Sequence, residues 1–192
     1  PTQLVLTTGA YGPPKKIPIK GKKKFKGQIF HSTDYQDGRD FKGKRCVVVG
    51  SATSAHDICQ DLWECGAKSV TMVQRSSSII IKSETMLEYG FGELYSEQAL
   101  KNGVTTDKAD LLFASLPYKL VPDAHREVYR QMYEHDKEFY DQLQESGFKF
   151  DFGEDGSGLL MRALRTASGY YIDVGASELI IQKKIKLKNG AT

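Results

Sequence analysis

Chemical interest concentrates in Gly50-Ser51-Ala52-Thr53-Ser54-Ala55. This hexapeptide follows the apolar run Arg45-Cys46-Val47-Val48-Val49 and opens a helical pattern. In that arrangement backbone N–H groups and a helix N-terminus can approach a pyrophosphate. Gly50 supplies the tight turn, and Ala55 is the small third position that lets helix and strand pack closely. Ala52 stands where the usual pattern has a second glycine, so its methyl group narrows the phosphate approach. Ser51, Thr53 and Ser54 offer hydroxyls. Further on, Ser69–Val73 reads as a strand followed by Gln74, Arg75 and Ser76. An acid at that place reads the ribose 2′-hydroxyl of an unphosphorylated dinucleotide, and none is present. Arg75 instead presents a charge-assisted fork to a phosphate, and Ser76 adds a hydroxyl. These residues suit NADPH.

Other reactive residues form no second constellation. His56 and Asp57 are adjacent, but on a helix they point in different directions and make no dyad. The remaining histidines, His31, His125 and His135, are scattered. Cys46, Cys59 and Cys65 lack paired metal-ligand spacing and read as inert thiols. No HExxH, zinc-type cysteine pairing or nucleophile elbow occurs, so no metal site and no catalytic side chain is assigned.

The elements that must position the turn form a β-α-β unit. Arg45–Val49 is nearly continuous in apolar residues, the pattern of a strand covered on both faces. Ala55–Cys65 reads as a helix with Ile58, Leu62 and Cys65 toward the sheet, Gly66 ends it, and Ser69–Val73 is the next strand, parallel to the first. Short strands are expected at Leu4–Leu6, Gln28–His31, Ile79–Ile81 and Tyr170–Ile172. A helix capped at Thr106 or Asp107 runs through Leu111 and Leu112. A longer one runs from Pro122 to Glu145, with Val128, Met132, Phe139 and Leu143 as a packing stripe. Leu159–Leu164 and Ser177–Ile181 read as helical, and Lys184–Lys188 as a strand entering a tight turn with its partner absent.

With 40% apolar and 27% charged residues, the 192-residue chain has the composition of a globular protein rather than a disordered one. Its net charge of +3 conceals an uneven distribution. Residues 1–26 hold seven lysines and no acid, while the rest carries 20 basic and 24 acidic side chains. The lysines lie among prolines and glycines rather than on a defined recognition surface with base-reading groups, and read as a solvated connector. No apolar run approaches the roughly 20 residues of a membrane span, and no secretory signal is visible.

Together these residues resemble the flavin-containing monooxygenases, particularly the fungal type. Phe25-Lys26-Gly27-Gln28-Ile29-Phe30-His31-Ser32-Thr33-Asp34-Tyr35 is similar to that family's FxGxxxHSxxY segment. Phe41-Lys42-Gly43-Lys44-Arg45, the Gly50–Asp57 turn and Val73-Gln74-Arg75-Ser76 follow at the family's intervals. Leu6-Thr7-Thr8-Gly9 resembles the transition out of the flavin domain, and Tyr170-Tyr171-Ile172-Asp173-Val174-Gly175 the return toward it.

The resemblance implies an α/β, Rossmann-like NADPH-binding domain with a parallel βαβ core and a helical insertion, lacking most of the FAD domain. Residues 1–40 would be the end of a flavin-domain strand and a linker, 41–175 the NADPH domain, and 176–192 the return toward the missing FAD-domain segments. In such enzymes NADPH reduces FAD, and the reduced flavin uses O2 to insert one oxygen atom into a soft nucleophile or ketone. Cofactor-binding roles would fall to Gly50, Ser51, Ala52, Thr53, Ser54, Ala55, Arg75 and Ser76. His31 and Ser32 would be nicotinamide-side groups or a structural junction. The expected partners are the missing flavin segments, oxygen and a small-molecule substrate, in the cytoplasm; the chain alone would be inactive. Two other readings share the turn: an NADPH-dependent flavin oxidoreductase without oxygen transfer, and an interaction domain whose nucleotide site has decayed.

Overall fold

In a computed structural model the described residues are 3, 12–14 and 18–190. The expected strand at Leu4–Leu6 and the Thr7-Thr8-Gly9 transition lie outside them. The chain divides into two units, Pro1–Gln36 and Asp37–Thr192.

Within the first unit, single 3₁₀ turns form at Lys22–Lys24 and Ser32–Asp34. The strand expected at Gln28–His31 does not form. The His31 side chain instead accepts the Thr33 N–H at 3.2 Å, a local bond that favours a turn over an extended ladder.

The second unit is built around β1 (Arg45–Val49), α1 (Thr53–Glu64) and β2 (Ser69–Gln74). The two strands are parallel, with Arg45 opposite Ser69 and Val49 opposite Val73. Helix α1 closes in a Schellman arrangement: the Gly66 N–H donates to the Trp63 carbonyl at 3.1 Å and the Ala67 N–H to Leu62 at 3.0 Å. Leu62 faces the core as expected, but the buried stripe runs through Ala55, His56 and Cys59 rather than Ile58. Cover on both faces of β1 is not found: Val47 and Val49 are 64% and 69% exposed. The strand lies at an edge of its sheet, and alternate residues point to opposite faces, so α1 covers only one of them.

Beyond β2 comes β3 (Ile79–Lys82), then the helical insertion, and then β4 (Tyr170–Asp173), which pairs in parallel with β3 as a second sheet. The insertion comprises α2 (Ser83–Thr85) running into a π-helical turn at Met86–Phe91, α3 (Glu97–Lys101), α4 (Thr106–Ser115), α5 (Val121–His135), α6 (Lys137–Glu145) and α7 (Gly158–Thr166). The single helix expected from Pro122 to Glu145 is broken at Asp136. That residue is buried, and its carboxylate receives the Lys82 ammonium at 2.7 Å and the Thr85 hydroxyl. These two bonds satisfy a buried charge at the break. After β4, α8 (Ala176–Ile181) leads to β5 (Ile185–Asn189). The partner expected to be absent is present: β5 pairs in parallel with β2, giving the order β1-β2-β5.

The sheets are tied by Gln74. Its buried amide donates to the Lys149 carbonyl and accepts the Lys149 N–H, both at 2.8 Å, replacing a missing ladder rung with side-chain bonds. Ile79, Ile81, Met86, Tyr129 and Met132 form a core beneath the insertion. On the other side of β3, Tyr140 is fully buried and donates its hydroxyl to the Ile80 carbonyl at 2.9 Å.

Candidate nucleotide site

The turn from β1 to α1 begins at Gly50, whose φ of 139° lies where side chains are rarely tolerated. Its N–H donates to the Val73 carbonyl at 3.0 Å, anchoring the turn to β2. Ala52 is the N-cap and contributes no capping side chain. Its carbonyl accepts the Ala55 and His56 N–H groups at 2.9 and 3.1 Å. Thr53 and Ser54 are exposed in the first helical turn, where backbone N–H groups have no intrahelical acceptor, and that turn holds no acid. The helix therefore presents donors and the positive end of its dipole to an anion.

The hydroxyls behave differently from the sequence expectation. Ser51 is buried, and its hydroxyl lies 2.9 Å from that of Ser78, which in turn donates to the Ser51 carbonyl at 2.6 Å. Thr53 donates to the Tyr170 carbonyl at 3.0 Å. Both hydroxyls thus brace the turn against β3 and β4, leaving Ser54 as the exposed hydroxyl without a partner among the described residues.

Behind the turn stands His56, a residue whose role sequence did not disclose. Its ring is fully buried and stacks on Tyr171 at 4.1 Å with the planes 7° apart. The Nδ1–H donates to the Ala52 carbonyl at 3.1 Å, while buried Nε2 meets no partner among the described residues. Burial pushes its pKa down to about 4, against the opposing pull of the Ala52 carbonyl and Asp173. A neutral imidazole is therefore a fixed support of the turn. Asp173 completes that support: its carboxylate accepts the Gly175 and Ser177 N–H groups at 3.2 and 3.1 Å and so opens α8. The Asp-Val-Gly-Ala-Ser run was the available signal for this cap.

Arg75 and Ser76 follow directly on β2 and are exposed. Arg75 forms no ion pair among the described residues. Because Val49 and Val73 are register partners, the phosphate turn and Arg75 emerge at the same ends of neighbouring parallel strands. Openings of this kind receive nucleotides in α/β sheets. Gly50, Ser51, Ala52, Thr53, Ser54 and Ala55 are thus one continuous turn, with Arg75 and Ser76 across the strand pair. His31 and Ser32 belong to the first unit, where both are exposed and His31 caps a local 3₁₀ turn. Free first-turn amides, an unacidified helix start and an unpaired guanidinium fit a phosphorylated dinucleotide.

The three cysteines are free, and burial pushes the Cys59 thiol up to about 12, an unreactive setting. Among the described residues no group of three or more His, Cys, Asp or Glu side chains could hold a metal ion. No helix among them is long and apolar enough to cross a membrane.

Residues 1–152 match the pyridine nucleotide-disulphide oxidoreductase family. The chain is similar to the probable indole-3-pyruvate monooxygenase YUCCA10 of Arabidopsis thaliana, at 32% identity over 59% of this chain and 29% of that protein. It is also similar to the trimethylamine monooxygenase of Pelagibacter ubique, at 38% identity over 41% of this chain and 18% of the relative. A third relative is the 4-hydroxybenzoate brominase (decarboxylating) of Marinomonas mediterranea, at 34% over 40% and 15%. The matches thus span less than a third of each relative's length. Flavin monooxygenases of this type use FAD and NADPH. With a parallel β-α-β turn on one side and the family match over most of its length on the other, the chain belongs to the pyridine nucleotide-disulphide oxidoreductases and is related to their flavin-dependent monooxygenases.

Proposed function

We propose that this chain is the NADPH-handling portion of an FAD-dependent monooxygenase that transfers one oxygen atom from O2 to a soft nucleophile or ketone. The observation that carries this reading is the pairing of an uncapped α1 N-terminus with exposed Arg75 at the same end of β1 and β2. The relatives' names, with two monooxygenases among them, support the oxygen-transfer class. NADPH supplies the reducing equivalents and the flavin supplies the oxygen chemistry, while the protein binds and orients them.

The Thr53 and Ser54 amides, with the Ser54 hydroxyl, hold the pyrophosphate in this reading. Ser51 and Thr53 act through their hydroxyls as braces of the turn, Gly50 allows its bend, and Ala55 lets α1 approach the sheet. Arg75 pairs with the 2′-phosphate and Ser76 adds a second contact. His31 and Ser32 are junction residues toward the flavin portion. In this reading β5, which pairs with β2, belongs with the nucleotide-handling region.

Calorimetric titration of the chain and of Arg75→Ala with NADP⁺ and NAD⁺ tests the assignment. A charge-assisted contact is worth about 1.5–3 kcal/mol, so NADP⁺ affinity should fall roughly 10- to 150-fold while NAD⁺ affinity changes little. Raising salt should narrow the NADP⁺ preference at this exposed position. Equal losses for the two nucleotides would remove Arg75 from the 2′-phosphate site.

A further inference from the structure

A groove of about 890 Å³ runs between α5 and the segment from Gly147 to Phe152; no residue assigned to the nucleotide lines it, although Lys149 and Asp151 bond Gln74 and Ser77, the neighbours of Arg75 and Ser76. Its volume lies within the range of small-molecule sites, roughly 300–1,000 Å³. Its walls are unusual in combining rings and cations. Tyr133, Phe150 and Phe152 line it and are each only half-buried. Tyr133 meets Phe152 edge-on, with centroids 6.0 Å apart, and Phe150 meets Phe152 similarly at 6.2 Å. The rings are held from beneath by Tyr140, which stacks on Tyr133 at 5.3 Å and is anchored to β3 through Ile80. This is a preorganised apolar surface that retains some exposure to water.

Arg126, Arg130 and Lys149 also line the groove, against a single lining carboxylate, Asp151. That carboxylate is already engaged: it receives Arg162 and the Gly153 N–H at 2.8 and 2.9 Å, together with the Ser77 hydroxyl. Among the described residues the ion pairs of the two arginines are with exposed acids of their own helix, Arg126 with Asp123 and Arg130 with Glu127, and Arg126 Nε also donates to the Asp155 carbonyl at 2.8 Å. Exposed pairs of this kind contribute little, so a better-placed anion can replace the acid without a large loss.

We propose that this groove binds a small aromatic anion, its ring against Tyr133 and Phe150 and its carboxylate held by Arg126 and Arg130, with Lys149 adding long-range attraction. A flat ring gains stacking and apolar burial on the three side chains. A neutral ring of the same shape gains only that, so the site discriminates by charge.

The probes are naphthalene-2-carboxylate and the uncharged 2-naphthalenemethanol, titrated into the ¹⁵N-labelled 192-residue chain and followed by amide chemical shifts. The carboxylate should produce saturable shifts centred on Phe148–Phe152 and Arg126–Tyr133, and the alcohol should bind about tenfold more weakly. The double variant Arg126→Ala, Arg130→Ala should lose about tenfold affinity for the carboxylate and leave the alcohol unchanged. An unaltered amide spectrum away from the groove shows that this variant folds. Absence of saturable shifts there, equal binding of the two probes, or indifference to the double substitution overturns the proposal. Displacement of the carboxylate by NADP⁺ would make the groove part of the nucleotide site and also overturn it. Persistence of the shifts in saturating NADP⁺ supports it, whatever the outcome of the Arg75 titrations.

Discussion

At the turn between β1 and α1 the backbone does much of the holding, braced by the Ser51 and Thr53 hydroxyls and the His56 ring. The Gly50 N–H reaches the Val73 carbonyl, the Ala52 carbonyl gathers two N–H groups, and first-turn donors stay open. In the insertion between β3 and β4, side chains do it instead. Asp136 joins Lys82 and Thr85, Tyr140 reaches Ile80, and Tyr129 and Met132 fill the space beneath β3. A region held by its backbone can leave polar groups free for a ligand, whereas one held by buried side chains has most of its buried polar groups satisfied. Substitutions should therefore separate: those of buried residues in the insertion act on stability, and those in the turn act on nucleotide affinity.

The largest effect is expected at Gly158 in the insertion. A Cβ there would fall 1.9 Å from the buried Tyr129 ring, at a φ of 75° that side chains rarely adopt. Overpacking and backbone strain together give Gly158→Ala a loss of about 4 kcal/mol in urea unfolding. NADP⁺ affinity of the remaining folded molecules should be unchanged. A loss below about 1 kcal/mol would mean that the ring moves aside freely, and the side-chain lattice would not be what orders this region.

His56 stands where the two modes of support meet, below the turn and against β4, and its effect should be next in size. Its pKa is lowered to about 4 in the folded chain from an ordinary value of 6.5. The neutral ring therefore contributes stability that is complete above pH 6.5 and is lost as pH falls toward about 4. The shift corresponds to about 3 kcal/mol over that window. Unfolding free energies at pH 7 and pH 4.5 should differ accordingly, and His56→Phe should flatten the difference while keeping a ring against Tyr171. Equal slopes for both proteins would show that His56 titrates freely.

Local pattern revealed the backbone-held region far better than the other. The apolar run, Gly50, Ala55 and Gly66 located β1, α1 and β2 to within about two residues, because each boundary depends on neighbours in the chain. What sequence left hidden depended on distant partners. Ser51 and Thr53 offered free hydroxyls on paper, but their acceptors lie 27 and 117 residues away. Asp136, at the break, is paired with a lysine 54 residues earlier, and nothing in the helical periodicity of 122–145 announces it. Exposure of Val47 and Val49 follows from one face of β1 lacking cover among the described residues, which an apolar run cannot encode. The Arg75 environment was legible for the opposite reason: its character depends on the acid that is missing beside it in the chain.

The smallest predicted energy is the most diagnostic, and it concerns Ala52. An aspartate at this N-cap would accept the Ser54 or Ala55 N–H and place a negative charge at the positive end of α1. Replacing alanine by such a cap stabilises a helix by about 1 kcal/mol, so Ala52→Asp should raise the urea midpoint modestly. If α1 holds a pyrophosphate, the same carboxylate occupies its donors and repels it. NADP⁺ and NAD⁺ affinity should then both fall by at least about tenfold, because both nucleotides carry that group. Ala52→Gly gives the contrasting case. Greater freedom in the unfolded chain costs about 0.4–1 kcal/mol, while glycine is a better N-cap than alanine, so stability should hardly move. Removing the methyl group should improve nucleotide affinity slightly if it crowds the phosphate. A more stable Ala52→Asp protein with undiminished affinity for both nucleotides would show that the helix start is not the phosphate seat. It would also undo the contrast between the two regions, since the turn's open donors would then serve nothing that binds.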